Sequence, residues 1–210
     1  GVRRLTDTLR AQHHEFTNHM HTVAGLIELG EHDDALAFLT DVQTSQAGFA
    51  DAVRERVAPT ALVGLLLGKA AAASERGVEL RLTEDSWLAD SPDKVNAFTT
   101  ILGNLIDNAL DAVTTGPTTG SGAIEVTLRD DEDAIVIEVA DNGPGVPADL
   151  REKVFLDGFT TKPASDGVRR GIGLALVHRL VQRLHGSITL ADGPGARFVV
   201  RLPVTVAVIA

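Results

Sequence analysis

The chain has 210 residues, of which 44% are apolar and 23% are charged, and this composition fits an ordinary globular domain plus a small one. Its net charge of −10 argues against direct contact with nucleic acid, because a phosphate-tracking surface needs clustered Lys and Arg. No apolar run has membrane-spanning length, so we expect no direct membrane contact and no secretory signal. The absence of cysteine excludes disulfides and thiolate metal sites.

Two helical apolar stripes occupy the first 57 residues, and Gly30 to Asp34 separate them. Their apolar residues recur at three- and four-residue steps: Leu5, Leu9, Phe16, Met20, Val23 and Ile27, then Leu36, Leu39, Val42, Phe49 and Val53. Two helices with a tight turn form an antiparallel hairpin. Because a lone hairpin leaves much of each stripe in water, we expect a homodimer built as a four-helix bundle.

Four of the seven histidines stand between positions 13 and 21. A helical turn of about 100° per residue puts His13 in the apolar stripe and His19 on its flank. The opposite face, which meets water, carries His14, Asn18 and His21. A metal site is disfavoured, because no two imidazoles of that face are one turn apart. Helix geometry therefore singles out His14, with Glu15 beside it, as an exposed imidazole with a neighbouring carboxylate.

The remaining chain alternates helical and strand patterns. Pro59 breaks the second helix, and residues 60–75 are predicted as a helix that ends at Gly77. Further helices are predicted over residues 91–113, 147–154 and 172–184, and strands over 78–82, 124–128, 135–139, 187–190 and 197–202. The middle two strands are expected to pair as a hairpin. Helices against a mixed or antiparallel sheet give the α+β class, with a helical hairpin over residues 1–57 and a second domain over residues 58–210.

Three polar residues on the helix at 91–113 are candidates for ligand binding. Asn104, Asn108 and Asp111 follow one another at i, i+4 and i+7 on one side of the helix. Amide oxygens of Asn108 and Asn104 suit a hard octahedral cation such as Mg²⁺. Asparagine on an exposed helix face is commonplace, however, so this pattern is weak by itself.

Two glycine-rich segments follow. Asp141, Gly143 and Gly145 stand directly after a strand, where they form either a turn without function or a nucleotide pocket. In the pocket, Asp141 accepts a hydrogen bond from the adenine amino group, and the glycines let the base approach the backbone. The second segment opens a helix, where backbone amides form an anion site suited to a triphosphate; it comprises Gly171, Ile172, Gly173 and Leu174.

The segment between the two glycine motifs has the composition of a mobile lid over a nucleotide. Aromatic anchors are followed there by hydroxyl and cationic groups. The candidate nucleotide-binding residues of this segment are Phe155, Phe159, Thr160, Thr161, Lys162, Arg169 and Arg170.

Together these motifs strongly resemble sensor histidine kinases. Residues 104–109 look like the family's N box, 141–145 like its first glycine box, 155–162 like its phenylalanine box and 171–174 like its second glycine box. All four occur in the family's order. The resemblance implies a Bergerat-type ATP-binding domain over about residues 60–203 that uses ATP and Mg²⁺. It also implies the cytoplasmic part of a larger, membrane-anchored receptor.

The helical part resembles the citrate and C4-dicarboxylate sensor subgroup. The segment from His14 to Asn18, followed by His21 and Gly25-Leu26, looks like its phosphoacceptor box. By that resemblance His14 is phosphorylated from ATP and passes the phosphoryl group to an aspartate on a response regulator receiver domain. The acidic residue and the asparagine three positions later, Glu15 and Asn18, resemble a motif for phosphatase action on the regulator.

Three other functions share part of this pattern. A phosphorelay phosphotransferase shares the hairpin without ATP chemistry, but the intact glycine boxes oppose it. A serine kinase of anti-sigma antagonists shares the ATP fold but lacks the hairpin of residues 1–57. A chaperone or topoisomerase-type ATPase carries a glutamate where this chain has Asn104, and an amide cannot deprotonate water.

Overall fold

The computed structural model describes residues 21–91, 93–116, 118, 121–160, 171–191 and 193–204. Residues 21–28 are helical and form α1 as far as it is described. The longer helix α2 spans His32–Arg56, and Gly30 between the two has φ 80°. Glycine adopts this left-handed conformation without steric strain. A turn at Gly30 therefore separates the two helices, and their antiparallel packing as a hairpin stays a prediction.

The rest of the described chain is a two-layer α+β sandwich, as predicted. Helix α3 spans Thr60–Ser74, α4 spans Val95–Thr115 and α5 spans Gly173–Arg183. The strands are β1 (Val78–Leu82), β2 (Gly122–Asp130), β3 (Ala134–Asp141), β4 (Ser187–Ala191) and β5 (Arg197–Pro203). They form one sheet in the order β1-β2-β3-β5-β4. Strands β1 and β2 run parallel, and the other neighbours are antiparallel.

Helix α4 is the central helix of the sandwich. It packs on β1, β2 and β3, and α3 and α5 lie on either side of it. Its apolar face is buried against the sheet because apolar residues recur at helical spacing along it. The buried residues of α4 are Phe98, Ile101, Leu102, Leu105, Ile106, Ala109, Leu110 and Val113.

One predicted helix is wrong. Residues 147–154 form two short 3₁₀ turns, Ala148–Leu150 and Lys153–Phe155, in place of one α-helix. The segment carries the chain from the end of β3 to Phe155, which packs on Phe198 of β5. A 3₁₀ turn advances about 2.0 Å per residue against 1.5 Å in an α-helix, so it covers this distance with fewer residues.

The end of α2 belongs to the core of the sandwich. Val53 and Val57 are buried in the same apolar cluster as the residues of α4. The Leu88 N–H donates to the Arg56 carbonyl at 2.9 Å, and the Ala58 N–H donates to the Leu88 carbonyl at 3.0 Å. The predicted domain boundary at residues 57/58 thus falls at a hydrogen-bonded, buried junction.

No helix in the described part of the chain combines the length and the apolar character that a membrane-spanning segment needs.

The buried junction generates a stability prediction. We expect Val53→Ala to lower the free energy of unfolding of the chain by about 2 kcal/mol, because two buried methyl groups are lost and a cavity is left. Leu29→Ala, at a side chain that is 77% exposed, serves as the control and changes it by less than about 0.5 kcal/mol. Urea unfolding measures both. Equal effects of the two substitutions would contradict the shared core.

Candidate active site

One face of α4 runs between the two glycine-rich segments. Asn104, Asn108 and Ala112 are spaced at i, i+4 and i+8, so they line up along the helix. A Cβ atom placed on Gly173 would lie 2.9 Å from Asn104 Oδ1, and one placed on Gly143 would lie 3.4 Å from the Ala112 Cβ. Asn108 therefore stands between the two segments, which meet α4 at points about 12 Å apart along its axis.

The two asparagines of this face present amide groups to the cleft. Asn104 Nδ2 donates to the Thr100 carbonyl at 2.7 Å, and its Oδ1 points towards Gly173. Asn108 Nδ2 is buried and has no hydrogen-bond acceptor in the described part of the chain. Such a donor costs about 1–3 kcal/mol, and an oxygen of a bound nucleotide would satisfy it.

The amide oxygens remain the candidate Mg²⁺ ligands on this chain. Within the described ranges, no three residues among His, Asp and Glu gather as a metal site. Hard cations take oxygen ligands, and Mg²⁺ is often held by one or two protein groups together with substrate phosphates. Asn104 and Asn108 fit that arrangement, and their role as ligands stays a prediction.

Asp141 lies at the end of β3, opposite the far end of the asparagine face. Its Oδ1 accepts the backbone N–H of Gly143 at 2.9 Å and that of Ala196 at 3.3 Å. Burial raises the pKa of the carboxyl above its ordinary value, and the two backbone N–H groups act in the opposite direction. Both hydrogen bonds end on Oδ1, so Oδ2 remains to accept a hydrogen bond from a ligand.

The loop after Asp141 is held in place from two sides. The Asn142 side chain accepts the Ala123 N–H and donates to the Ser121 carbonyl, each at 2.8 Å. Gly145 has φ 70°, a region that side-chain-bearing residues rarely adopt. A Cβ on Gly145 would also lie 3.2 Å from the Gly195 carbonyl oxygen. These contacts require glycine at this predicted site position.

The second glycine-rich segment forms the start of α5. Gly171 has φ 80°, and its carbonyl accepts the Gly158 N–H at 3.2 Å. A Cβ on Gly171 would overlap the Phe159 carbonyl oxygen, so the two sides of the loop approach closely there. The first turn of α5, from Gly173, carries no acidic residue. Its unpaired backbone N–H groups and positive dipole end favour an anion. Of the predicted residues, Ile172 precedes this turn and Leu174 lies within it.

The phenylalanine-rich segment is attached to α5 and β5. The Phe155 ring centroid lies 5.7 Å from that of His178 and 6.2 Å from that of Phe198. Arg179 of α5 pairs with the Asp157 carboxylate at 2.5 Å. Phe155 therefore anchors the segment to the core. Its predicted contact with nucleotide, and those of Phe159 and Thr160, stay predictions.

A cavity of about 460 Å³ lies elsewhere. Its lining includes Arg151, Phe155, His178, Thr189 and Leu190. Of the predicted nucleotide-binding residues that the structure describes, the lining includes only Phe155. The asparagine face, Asp141 and the start of α5 border a different region, called the cleft here, and their contact with a nucleotide stays a prediction.

Some predicted site residues are not brought into the cleft or lie outside the described residues. Asp111 pairs with Arg76 at 3.5 Å, on the flank of α4 that faces α3, so its predicted contact with nucleotide stays untested. The following predicted residues lie outside the described residues: His14, Glu15, Asn18, Thr161, Lys162, Arg169 and Arg170.

Sequence reasoning missed the turn between β4 and β5, where Gly195 and Ala196 contact Asp141. A signal was present, because Gly193-Pro194-Gly195 repeats the Gly-Pro-Gly of residues 143–145.

Two families match the chain. The family described as "Histidine kinase-, DNA gyrase B-, and HSP90-like ATPase" matches residues 93–206. The family described as "Sensor_kinase_SpoOB-type, alpha-helical domain" matches residues 1–47. The first match includes Asn104, Asp141 and the start of α5, and the second includes most of the predicted helical hairpin.

Curated relatives match nearly the whole chain. It is 38% identical over 207 residues to a probable C4-dicarboxylate sensor kinase of Halalkalibacterium halodurans, and 40% identical over 208 residues to the sensor protein CitS of Bacillus subtilis. These matches cover 97% and 96% of this chain but only 38% and 37% of the relatives. The chain thus spans little more than a third of their length.

A solved structure shares the fold. Full-length ShkA in complex with AMPPNP is 28% identical, with a TM-score of 0.52 over 86% of this chain and 38% of that one. Three similarities indicate the same family. The chain carries the four boxes, the ATP-binding family matches more than half of it, and the sensor kinases match nearly all of it. The chain therefore belongs to the sensor histidine kinases, as a catalytic core related to the citrate and C4-dicarboxylate sensor kinases.

Proposed function

We propose that the chain binds ATP with Mg²⁺, phosphorylates His14 and passes the phosphoryl group to an aspartate of a response regulator in the cytoplasm, as part of a longer sensor. One observation carries this proposal. The asparagine face of α4 meets Gly173 at one end and Gly143 at the other, so base recognition and phosphate binding are arranged along one helix.

The contacts of the cleft support one orientation of ATP. Asp141 Oδ2 accepts the adenine amino group, because its Oδ1 is already engaged by two backbone N–H groups. The triphosphate extends towards Asn104 and the N-terminus of α5, where backbone N–H groups and the helix dipole offset its charge. Mg²⁺, when bound to the amide oxygens and phosphates, supplies further charge neutralisation.

His14 performs the nucleophilic step. At its ordinary pKa of about 6.5 an imidazole is mostly neutral at neutral pH. Glu15 accepts a hydrogen bond from Nδ1–H and holds the tautomer in which Nε2 is free. Nε2 bonds to the γ-phosphorus, the bond from that phosphorus to the bridging oxygen of ADP breaks, and Glu15 stabilises the proton on Nδ1. The product is phosphohistidine and ADP.

Exposed apolar side chains beside the phosphate end support docking of the helix that carries His14. Ile172 is 41% exposed and Leu176 is 37% exposed, and the two are one turn apart on the same side of α5. Leu156, 60% exposed, extends from the neighbouring segment. On the hairpin itself Ile27 is 51% exposed and Leu29 is 77% exposed, which supports the proposed homodimer through a four-helix bundle.

Asn104 favours transfer to histidine over hydrolysis. Its Nδ2 is used by the Thr100 carbonyl, and the remaining amide oxygen is too weak a base to deprotonate water. Asn18, three residues after Glu15, orients a water molecule towards phospho-aspartate of the docked regulator. We therefore propose a phosphatase activity towards the regulator as well as the kinase activity.

The first prediction concerns the phosphorylated residue. With γ-labelled ATP and Mg²⁺, the wild-type chain is expected to acquire acid-labile, base-stable label, because a phosphoramidate has that stability. His14→Gln is expected to abolish the label, and the neighbouring control His13→Gln to keep it above half of the wild-type level. Label retained in His14→Gln would refute the assignment of the phosphoacceptor.

A second prediction concerns the base. In Asp141→Asn the N–H groups of Gly143 and Ala196 hold the amide oxygen, so the NH₂ group faces the ligand. It repels the adenine amino group but matches the guanine carbonyl. We expect the Kd for ATP to rise at least about tenfold, since a charge-assisted hydrogen bond is lost, and the ratio of GTP to ATP affinity to increase.

Calorimetric titration with ATP and with GTP measures this change. Asp149→Asn, an exposed aspartate in the first 3₁₀ turn, is the control and leaves both affinities unchanged. Unaltered ATP affinity in Asp141→Asn would mean that Asp141 does not bind adenine.

A third prediction separates the two activities. Asn18→Ala is expected to slow dephosphorylation of the phosphorylated regulator about tenfold or more, because the attacking water loses its orientation. Autophosphorylation of His14 should stay within about twofold. Thr17→Ala, on another side of the same predicted helix, is the control for both. A parallel loss of kinase and phosphatase activity in Asn18→Ala would contradict the separate role of this amide.

A further inference from the structure

Next to the turn between β4 and β5, the hydrogen-bond ladder between β3 and β5 ends on a side chain in place of a backbone carbonyl. The register of β3 and β5 places Asp141 opposite Ala196, one step beyond the pair of Ala140 and Arg197. The Asp141 N–H donates to the Ala196 carbonyl at 2.9 Å. The Ala196 N–H, however, donates to Asp141 Oδ1 at 3.3 Å and not to a backbone carbonyl. The last step of the ladder thus holds the carboxylate that faces the cleft.

Gly195 is packed directly on the backbone of Asp141. A Cβ on Gly195 would overlap the Asp141 carbonyl oxygen, and would lie 2.7 Å from the carbonyl carbon and 3.1 Å from Oδ1. Both backbone atoms belong to a strand end and cannot move aside as a flexible side chain would. Gly193, in the same turn, would meet nothing within 4 Å. The two glycines therefore differ sharply in what they touch.

These contacts restrict the carboxylate of Asp141. With the N–H groups of Gly143 and Ala196 both on Oδ1, rotation of the carboxyl group breaks two hydrogen bonds at once. A group held in the geometry that its ligand needs binds it with less loss of conformational freedom. The turn supplies one of these two donors, and its close packing on Asp141 fixes the position of that donor.

We propose that Gly195 and Ala196 are positioning residues for adenine recognition, because the β4–β5 turn orients the Asp141 carboxylate so that Oδ2 faces the base. This inference rests on the ATP binding proposed above. The contacts described for residues 193–196 reach Asp141 and the loop at Gly145. The phosphate end at Asn104 and Gly173 is formed by other elements. A change in the turn therefore affects the base and leaves the triphosphate site in place.

The test compares Gly195→Ala with the matched control Gly193→Ala in the 210-residue chain. Two probes are titrated in the presence of Mg²⁺: ATP, and inorganic tripolyphosphate, which has no base. For Gly195→Ala we expect the Kd for ATP to rise at least tenfold while the Kd for tripolyphosphate stays within twofold. For Gly193→Ala both constants stay within twofold of the wild-type values.

Two outcomes overturn the proposal. An unchanged Kd for ATP in Gly195→Ala shows that the turn does not position Asp141. An equal weakening of ATP and tripolyphosphate shows general damage to the domain, as for a merely structural glycine. If wild-type chain binds neither probe, the proposed ATP binding itself fails, and the positioning role that depends on it falls with it.

If Gly195→Ala does not fold, a second measurement tests the contact between Ala196 and the Asp141 carboxylate. Amide hydrogen exchange of Ala196 is followed in the wild-type chain and in Asp141→Ala, with the amide of Val139 in the same ladder as the internal reference. We expect the Ala196 amide to exchange at least tenfold faster in Asp141→Ala while the Val139 amide is unchanged. Equal exchange of Ala196 in both chains overturns the proposal.

Discussion

Burial of one face of helix α4 under the sheet determines where the rest of the cleft lies. Fully buried side chains such as Ile101, Leu105 and Ile106 occupy that face, and each large apolar side chain contributes about 1.5–3 kcal/mol when buried. The helix cannot rotate without exposing them. Asn104 and Asn108 are consequently held towards the start of α5 and the loop after β3.

Backbone groups supply much of the polar surface among the described residues around α4. Phosphoryl transfer depends mainly on positioning and on neutralising developing charge. Here the positioning groups are backbone N–H donors and glycines in close contact, such as Gly173 against Asn104 and Gly195 against Asp141. The carboxylate of Asp141 is restrained by two backbone donors. A rigid frame of this kind favours selective binding.

The helical hairpin joins this frame directly. Val53 of α2 and Val57, which follows α2, lie in the sandwich core. Leu88 hydrogen-bonds to the residues on both sides of Val57. The end of α2 is thus attached to the sandwich by packed side chains as well as by backbone hydrogen bonds. Most of the elements were predictable, because periods of two and of three to four residues mark strands and helices. The helix predicted over residues 147–154 was wrong, since a short segment carries too few turns for a period to be decisive.

The sequence by itself determined the boxes, their order, the amphipathic helices and the candidate phosphoacceptor His14, because these depend on residue type and local spacing. Only the tertiary structure decided which groups meet. It paired Asp111 with Arg76, anchored Phe155 on the core and brought Ala196 against Asp141. Those contacts join residues up to 55 positions apart, and no local pattern encodes them, since they arise when the sheet and α4 bury their apolar faces together.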